Sequence, residues 1–465
     1  MASFTSTVVV QRGEVVTFTR NINTESSIAY EFQAPAPGSP SSTLINHGEI
    51  RFVSSYGFEP EVQLVHVNTS GAASKPSVEN HGSILLEQTV GYATGLSGAG
   101  SPGFVNTGDF VVRAAKEAAG VWFWSPPVVN SGRILVEAGN SATALHLDGG
   151  GMVQNSGSIL VHVTGAGSAT ALQLLRNDVR IENDGLIAAT HAQPGAASYG
   201  ISSSGGGSGP LQIVNRGTIT ADDAIRSNTQ PYNSAFNQVQ QVENHGTING
   251  RILLGADNDI LVNAGTINGA VDLGSENDLY DGRLGRAREM VAGGEGADTL
   301  LGGAEFDYLQ GNAGNDSLSG GPGNDWVVGG RDDDHLSGDA GNDVVYGNLG
   351  ADTVLGGDGD DWVRGGQDND SVSGGAGDDL IWGDRGDDTL VGGSGADTFG
   401  IFVGAGLDRI LDFSLAEGDR LRIEGGASYT VRFEGGDTIV DLGNGDRAVL
   451  VGVDLTTATG WILTT

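Results

Sequence analysis

Gly338-Asp339-Ala340-Gly341-Asn342-Asp343-Val344-Val345-Tyr346 runs without a gap into Gly347-Asn348-Leu349-Gly350-Ala351-Asp352-Thr353-Val354-Leu355 and then Gly356-Gly357-Asp358-Gly359-Asp360-Asp361-Trp362-Val363-Arg364. These are three of twelve consecutive nonapeptides, beginning at Gly293, Gly302, Gly311, Gly320, Gly329, Gly338, Gly347, Gly356, Gly365, Gly374, Gly383 and Gly392. The sixth position is always aspartate: Asp298, Asp307, Asp316, Asp325, Asp334, Asp343, Asp352, Asp361, Asp370, Asp379, Asp388 and Asp397. The eighth is always a sizeable apolar residue, from Leu300 through Val327, Val345 and Val363 to Phe399. The pattern reads Gly-Gly-x-Gly-x-Asp-x-U-x, with U apolar. An acidic low-complexity linker would not hold two such positions in register twelve times over.

A six-residue glycine-rich turn and a three-residue strand bury too little to stand alone, so the apolar residue must point inward and the turns must stack. Two nonapeptides then make one coil of a thin parallel roll, with turns on opposite edges. Glycine at position four (Gly296, Gly314, Gly323, Gly341, Gly350, Gly359, Gly377, Gly386 and Gly395) permits positive φ and turns backbone carbonyls towards the groove between turns. Calcium takes six to eight oxygen ligands, and such carbonyls together with aspartates of adjacent same-edge turns provide that shell. The aspartates are therefore expected to be the charged ligands, and the gaps along two edges have room for about ten ions. Glu305, Asp332 and Asp368 replace glycine at position four and are expected to strain their turns. Asn or Asp at position five, as in Asn342 and Asp360, can add an oxygen, although Ala297, Phe306, Ala351 and Ala396 show that none is required. Without calcium, carboxylates stacked at strand spacing repel, so this segment is expected to be disordered until the ion arrives.

The 465 residues include 78 glycines and no cysteine, and carry a formal net charge of −35. So much glycine argues for turn-rich β structure over helices. The acidity argues against binding a phosphate backbone as the main task, so no nucleic-acid partner is expected. The lack of cysteine excludes disulfides and zinc–thiolate sites. Residues 293–400 contain 23 acidic and 3 basic residues, which concentrates more than half of the excess charge in the repeat. The stretch from Met1 to Arg12 has no basic region followed by an apolar core, so no signal peptide is expected there. No apolar run is long enough for a membrane-spanning helix.

A looser repeat occupies the N-terminal region. Asn-x-Gly recurs at Asn46, Asn80, Asn106, Asn130, Asn155, Asn183, Asn215, Asn244 and Asn263, with an apolar residue one or two places before it (Ile45, Val78, Val105, Val129, Val153, Ile181, Val214, Val242 and Val262). Another apolar residue follows two places after the glycine, as in Ile84, Phe110, Ile134 and Ile159. Strand, corner and strand at this spacing fit the coils of a parallel β-helix, with variable loops such as Ser202–Gly209 absorbing differences in length; an ordinary β-sandwich is the alternative. Asn and Gly suit a left-handed corner, and stacked Asn side chains can bond along the ladder. Ile248–Asp259 recurs as Ile267–Asp278. This makes Asp259 and Asp278 further candidate calcium ligands in degenerate turns, with a surface acidic loop as the alternative.

Taken with the nonapeptides, Asp408-Arg409-Ile410-Leu411-Asp412-Phe413 and a hairpin expected across Thr438–Val453 resemble the C-terminal cap and secretion region of repeats-in-toxin (RTX) proteins exported by type I systems. The ending Trp461-Ile462-Leu463-Thr464-Thr465 departs from the acidic-plus-aromatic ending of many members. The Asn-x-Gly coils resemble adhesin-type passenger repeats of autotransporters. The first resemblance implies passage out of a calcium-poor cytosol through a type I exporter, then folding outside in calcium, giving a secreted, extracellular or cell-surface protein. The expected fold is all-β: a right-handed parallel β-helix over 1–247, transitional coils over 248–292, a calcium-loaded parallel β-roll over 293–400, and a small β cap with the secretion region over 401–465.

RTX proteins often carry an enzyme ahead of the roll. No His-Glu-x-x-His or Gly-x-Ser-x-Gly occurs here, which disfavours a zinc protease or serine hydrolase. A β-helix can host a polysaccharide lyase or epimerase, for which His162, Arg176, Asp178, Arg180 and Tyr199 are candidate groups. His47, His81 and His245 are expected at outward corners. Trp122 and Trp124 are expected in a loop packed on the helix, with a sugar platform as the alternative. Trp326, Trp362 and Trp382 are expected to face outward as an aromatic patch for self-association. Two functions stay open: a calcium-dependent structural or adhesive protein whose partner is a cell-surface or matrix polysaccharide or another copy, and a polysaccharide-active enzyme with the roll as its folding module.

Overall fold

The computed structural model describes residues 2–464 other than 5–7, 11–14, 20–25, 34–42, 55–60, 69–76, 100–102, 125–126, 177, 207–208 and 228–238. Among the described residues every regular element is a β-strand. Backbone packing divides the chain into two units, one of residues 1–257 with 266–269 and one of residues 258–265 with 270–465. The division falls inside the span read as transitional coils.

In the first unit, parallel strands stack coil on coil in three sets. One set ends on the Asn of each Asn-x-Gly, as in Ser77–Asn80, Gly103–Asn106, Pro127–Asn130 and Gly151–Asn155. A second follows the glycine, as in Ser83–Gln88, Asp109–Ala114, Arg133–Ala138 and Ser158–Val163. The third comprises Tyr92–Ala99, Glu117–Phe123, Ser141–Leu147, Ala169–Arg176 and Ser198–Gly206. Strands pair in parallel register with their own kind from coil to coil until Thr218–Ser227, one long strand that pairs with both Leu186–His191 and Ser198–Gly206, and this excludes an antiparallel sandwich. The third ladder corrects the sequence reading. Much of the chain expected as variable loops, including Ser202–Gly206 and Trp122, lies in strands of this set; residues 207–208 of that expected loop lie outside the described residues.

The core is a set of stacked columns. The residue two places before each Asn points inward: Leu44, Val78, Phe104, Val128, Val153, Ile181, Ile213 and Val242 are buried. Ile45, Val105 and Val129, one place before, do not, because strand side chains alternate between faces. The residues two places after the glycine are buried throughout, from Ile50 to Ile248. Each fully buried Ile or Leu contributes about 1.5–3 kcal/mol, too little for one coil to fold alone but cumulative over a stack.

Asparagine caps this core along one corner. Asn46, Asn80, Asn106, Asn130, Asn155, Asn183, Asn215 and Asn244 are buried, and from Asn46 to Asn215 each Nδ2 donates to the Oδ1 of the next Asn at 2.7–2.8 Å. None of these Asn or Gly residues has a positive φ, contrary to expectation. Glycine is needed for space: a Cβ on Gly132 would lie 2.1 Å from the carbonyl oxygen of Gly108 in the coil below.

In the second unit the roll has two parallel ladders, strands such as Trp326–Arg331, Val344–Leu349 and Trp362–Gln367 on one face and His335–Ala340, Thr353–Asp358 and Ser371–Ala376 on the other. Most strands run six residues, because the first three positions of the next nonapeptide extend the three expected. All twelve position-eight residues are buried between the faces. The cap continues the roll. Leu407–Ile410 and Arg420–Ile423 pair in parallel with the last strands, and Thr430–Glu434, Asp437–Gly443 and Asp446–Leu450 form the antiparallel hairpins. Phe413 packs between Phe399 and Trp461 at the closed end.

Candidate metal centre

The turns of one edge stack with backbone against backbone. Gly359 has a φ of 132°, and a Cβ there would lie 2.0 Å from the carbonyl oxygen of Gly341, so only glycine allows the approach. Asp332 and Asp368 hold the position with φ of 72° and 79°, a region that aspartate tolerates better than most residues. The turns above them still stack, with Gly350 and Gly386 close to the Asp332 and Asp368 carbonyls. Glu305 behaves differently: its φ is not positive, the strand before it stops at Leu301, and its carboxylate pairs with Arg286.

All twelve position-six aspartates are at most 4% exposed. They form a ladder on each edge through their own backbone amides. Asp325 N–H donates to Asp343 Oδ1 at 2.7 Å, Asp343 N–H to Asp361 Oδ1 at 2.8 Å, and Asp361 N–H to Asp379 Oδ1 at 2.8 Å. The other edge repeats the bond from Asp298 through Asp316, Asp334, Asp352 and Asp370 to Asp388. Asp278 joins that edge by donating to Asp298, and Asp259 N–H donates to Asp278 Oδ1 at 2.6 Å. Both are buried, which excludes the surface-loop alternative.

Each rung therefore commits one oxygen to the ladder and leaves the other. Oδ2 is buried without a hydrogen-bond partner at Asp298, Asp316, Asp325, Asp334, Asp343, Asp352, Asp361, Asp370, Asp379, Asp388 and Asp397. At Asp307 it accepts the Gly303 N–H at 2.7 Å. Burying a charged oxygen with nothing to meet it costs several kcal/mol, so the proton or a cation must compensate. Burial pushes these carboxyls up to about 6 at Asp298, Asp352 and Asp397. It pushes Asp316, Asp325, Asp361 and Asp379 up to about 7, and Asp278, Asp334 and Asp370 to about 8, with neighbouring carboxylates adding to the rise.

Among the described residues no three His, Asp or Glu side chains converge. A shell here would combine one or two aspartate oxygens with backbone carbonyls, all hard donors of the kind calcium prefers. The orphaned, in-register oxygens fit that ion.

Position five serves a second ladder that the sequence reading missed. Asn324 Oδ1 accepts Asn342 N–H, Asn342 Oδ1 accepts Asp360 N–H, Asp360 Oδ1 accepts Asp378 N–H, and Asp378 Oδ1 accepts Ala396 N–H. It runs opposite to the position-six ladder. Alanine is tolerated where only its amide is required.

The candidate catalytic groups are not brought together. Arg180, His162 and Tyr199 stand on strands of the first, second and third sets. Arg180 pairs with Glu182, His162 meets Thr190, Arg176 stacks on Trp124, and Tyr199 lies under Arg226. Asp178 is exposed between strands, and His47, His81 and His245 are exposed at corners, as expected. Trp326 and Trp362 face solvent, 48% and 42% exposed, but Trp382 is buried, contrary to expectation. Arg364 and Arg422 lie over its ring, and Gly400 leaves room beside its Nε1.

Residues 292–327, 319–354, 328–363 and 364–399 match the family of the RTX calcium-binding nonapeptide repeat. Among solved structures the chain is similar to the extracellular lipase LipA from Serratia marcescens, at 16% identity over 50% of this chain and 45% of that one, with a TM-score of 0.17. The match thus spans less than half of the lipase's length. No curated protein matches.

Proposed function

From the premise that residues 292–399 are RTX calcium-binding nonapeptide repeats, we propose that this chain is a secreted protein whose roll folds on binding extracellular calcium. Its first unit then serves as a structural or adhesive surface. The eleven buried, unpartnered Oδ2 atoms carry the reading. The twelve position-six aspartates, the position-four carbonyls, and Asp259 and Asp278 are the proposed ligands, for about ten ions in all. Extracellular calcium modules bind at about 10⁻⁴–10⁻³ M, so the calcium-poor cytosol leaves the roll open for a type I exporter and the exterior closes it. About ten divalent ions cancel the excess charge of the repeat, so the loaded protein behaves as a far less acidic one.

For the first unit, the placement of His162, Arg180 and Tyr199 on three strand sets supports a surface role over a lyase or epimerase. Incubation of the calcium-loaded full chain with alginate and pectin tests this, and turnover of either would refute it. For the roll, the full chain should gain strand signal in circular dichroism as calcium is added. Equal strand content in chelator would refute the calcium switch.

A further inference from the structure

After the twelfth nonapeptide the period slips by two residues, at Ile401-Phe402, and then returns in degenerate form as Val403-Gly404-Ala405-Gly406-Leu407-Asp408-Arg409-Ile410. Gly404 and Gly406 have φ of 100° and 106°, and Ile410 is buried like any position-eight residue. Arg409 pairs with Thr389 and Ile410 with Leu390, which makes Asp408 the next rung after Asp388. The two turns stack in the manner of the array. A Cβ on Gly406 would lie 2.2 Å from the Gly386 carbonyl oxygen, and Leu407 N–H donates to Asp387 Oδ1 at 3.0 Å.

Asp408 differs from the rungs before it. From Asp316 to Asp397, each Oδ1 accepts the amide of the preceding rung on its edge. Asp408 is 1% exposed, yet neither of its oxygens makes a well-formed hydrogen bond, and the Asp388 amide and carboxyl lie against it. With Asp388 Oδ2, three buried and unpartnered carboxylate oxygens stand on two adjacent rungs. The other edge ends otherwise: Asp419 accepts the Asp397 N–H through Oδ1 at 3.1 Å and the Ser414 N–H through Oδ2 at 2.7 Å. Backbone amides already satisfy that carboxylate.

We propose that Asp388 and Asp408 form a calcium site beyond the nonapeptide array, one that locks the cap to the loaded roll. This rests on the reading of the roll as calcium-binding. Two carboxylates with three open oxygens carry the same charge as two interior rungs but offer one more free donor towards the six to eight oxygens that calcium takes. The site therefore fills no later than the interior gaps.

Native mass spectrometry of the full chain at saturating calcium tests the assignment. Asp408→Asn should hold one ion fewer than the parent, and Asp419→Asn the same number. Hydrogen exchange of the parent across a calcium titration is the second measurement, and decides alone if Asp408→Asn does not fold. Amides of 403–410 should gain protection at a calcium concentration no higher than those of 338–364. An unchanged ion count in Asp408→Asn, as two carboxyls sharing only a proton would give, or protection at 403–410 that lags the array, overturns the proposal. A parent chain that takes up no calcium overturns the reading of the roll instead.

Discussion

Asp361 carries both features of a rung, and two substitutions separate them. Its Oδ1 accepts the buried Asp343 N–H at 2.8 Å, and its Oδ2 has no protein partner. Asp361→Asn keeps an acceptor for that amide and removes the charge, whereas Asp361→Ala removes both. Losing a charged contact to the ion costs about 2 kcal/mol, and orphaning a buried N–H adds about 2 more. If about ten ions bind as the roll folds, a change in folding free energy is divided among all of them when expressed as a calcium midpoint. At 1.4 kcal/mol per tenfold, about 0.2 kcal/mol per ion raises the midpoint about 1.4-fold for Asn, and about 0.4 raises it about 2-fold for Ala. Asp358→Ala, at an exposed residue off the ladder, is the control and should not move it. Circular dichroism of the full chain during calcium titration reads all three. Equal midpoints for Asn and Ala would refute the separate ladder role, and midpoints equal to that of Asp358→Ala would refute both roles.

Acid should partly replace calcium. Folded carboxyls raised to about 7 at Asp316 and Asp361 and about 8 at Asp334 and Asp370 hold protons that an open chain releases near 3.9. Without calcium, stability of the roll is therefore greatest at low pH and is lost as pH rises through about 6 to 8; with calcium the dependence reverses, because the ion displaces those protons. Strand content in chelator that does not fall across that range, or a calcium midpoint that does not drop, contradicts this. In the first unit, Asn130→Ala removes the bonds to Asn106 and Asn155, both 2.7 Å, and should destabilise it by about 2–4 kcal/mol whether or not calcium is present, as read by thermal melting. A loss below about 0.5 kcal/mol would show that the asparagine ladder adds little. Gly132→Ala should lower the same melting transition, because its Cβ meets backbone of the preceding coil; an unchanged transition would refute the close-approach role.

The roll was legible because two side-chain positions recur at one fixed interval, and the asparagine corner because a buried amide must find a partner of its own kind. The third ladder of the first unit was not. Strands such as Glu117–Phe123 and Ser141–Leu147 carry Ala, Gly and Thr where the chain bends, and Gly120 is required only because a Cβ would lie 2.4 Å from the Ala144 carbonyl oxygen. That constraint belongs to the neighbouring coil and leaves no motif. The position-five ladder was hidden for a related reason, since half of each bond is a backbone amide that any residue supplies. Asp408 was missed because two inserted residues break the count, although the stacking of the turn survives them. Trp382 was misplaced because its cover, Arg364 and Arg422, comes from other coils.

The central claim is that the aspartate ladders are calcium sites and that filling them folds the roll. Hydrogen exchange of the full chain, with and without calcium, tests it most directly. Amides of Asp298 through Asp397 should exchange freely in chelator and become protected together as calcium is added, while those of the Asn-x-Gly coils stay protected in both. Protection of the aspartate amides in chelator equal to that in calcium would contradict it.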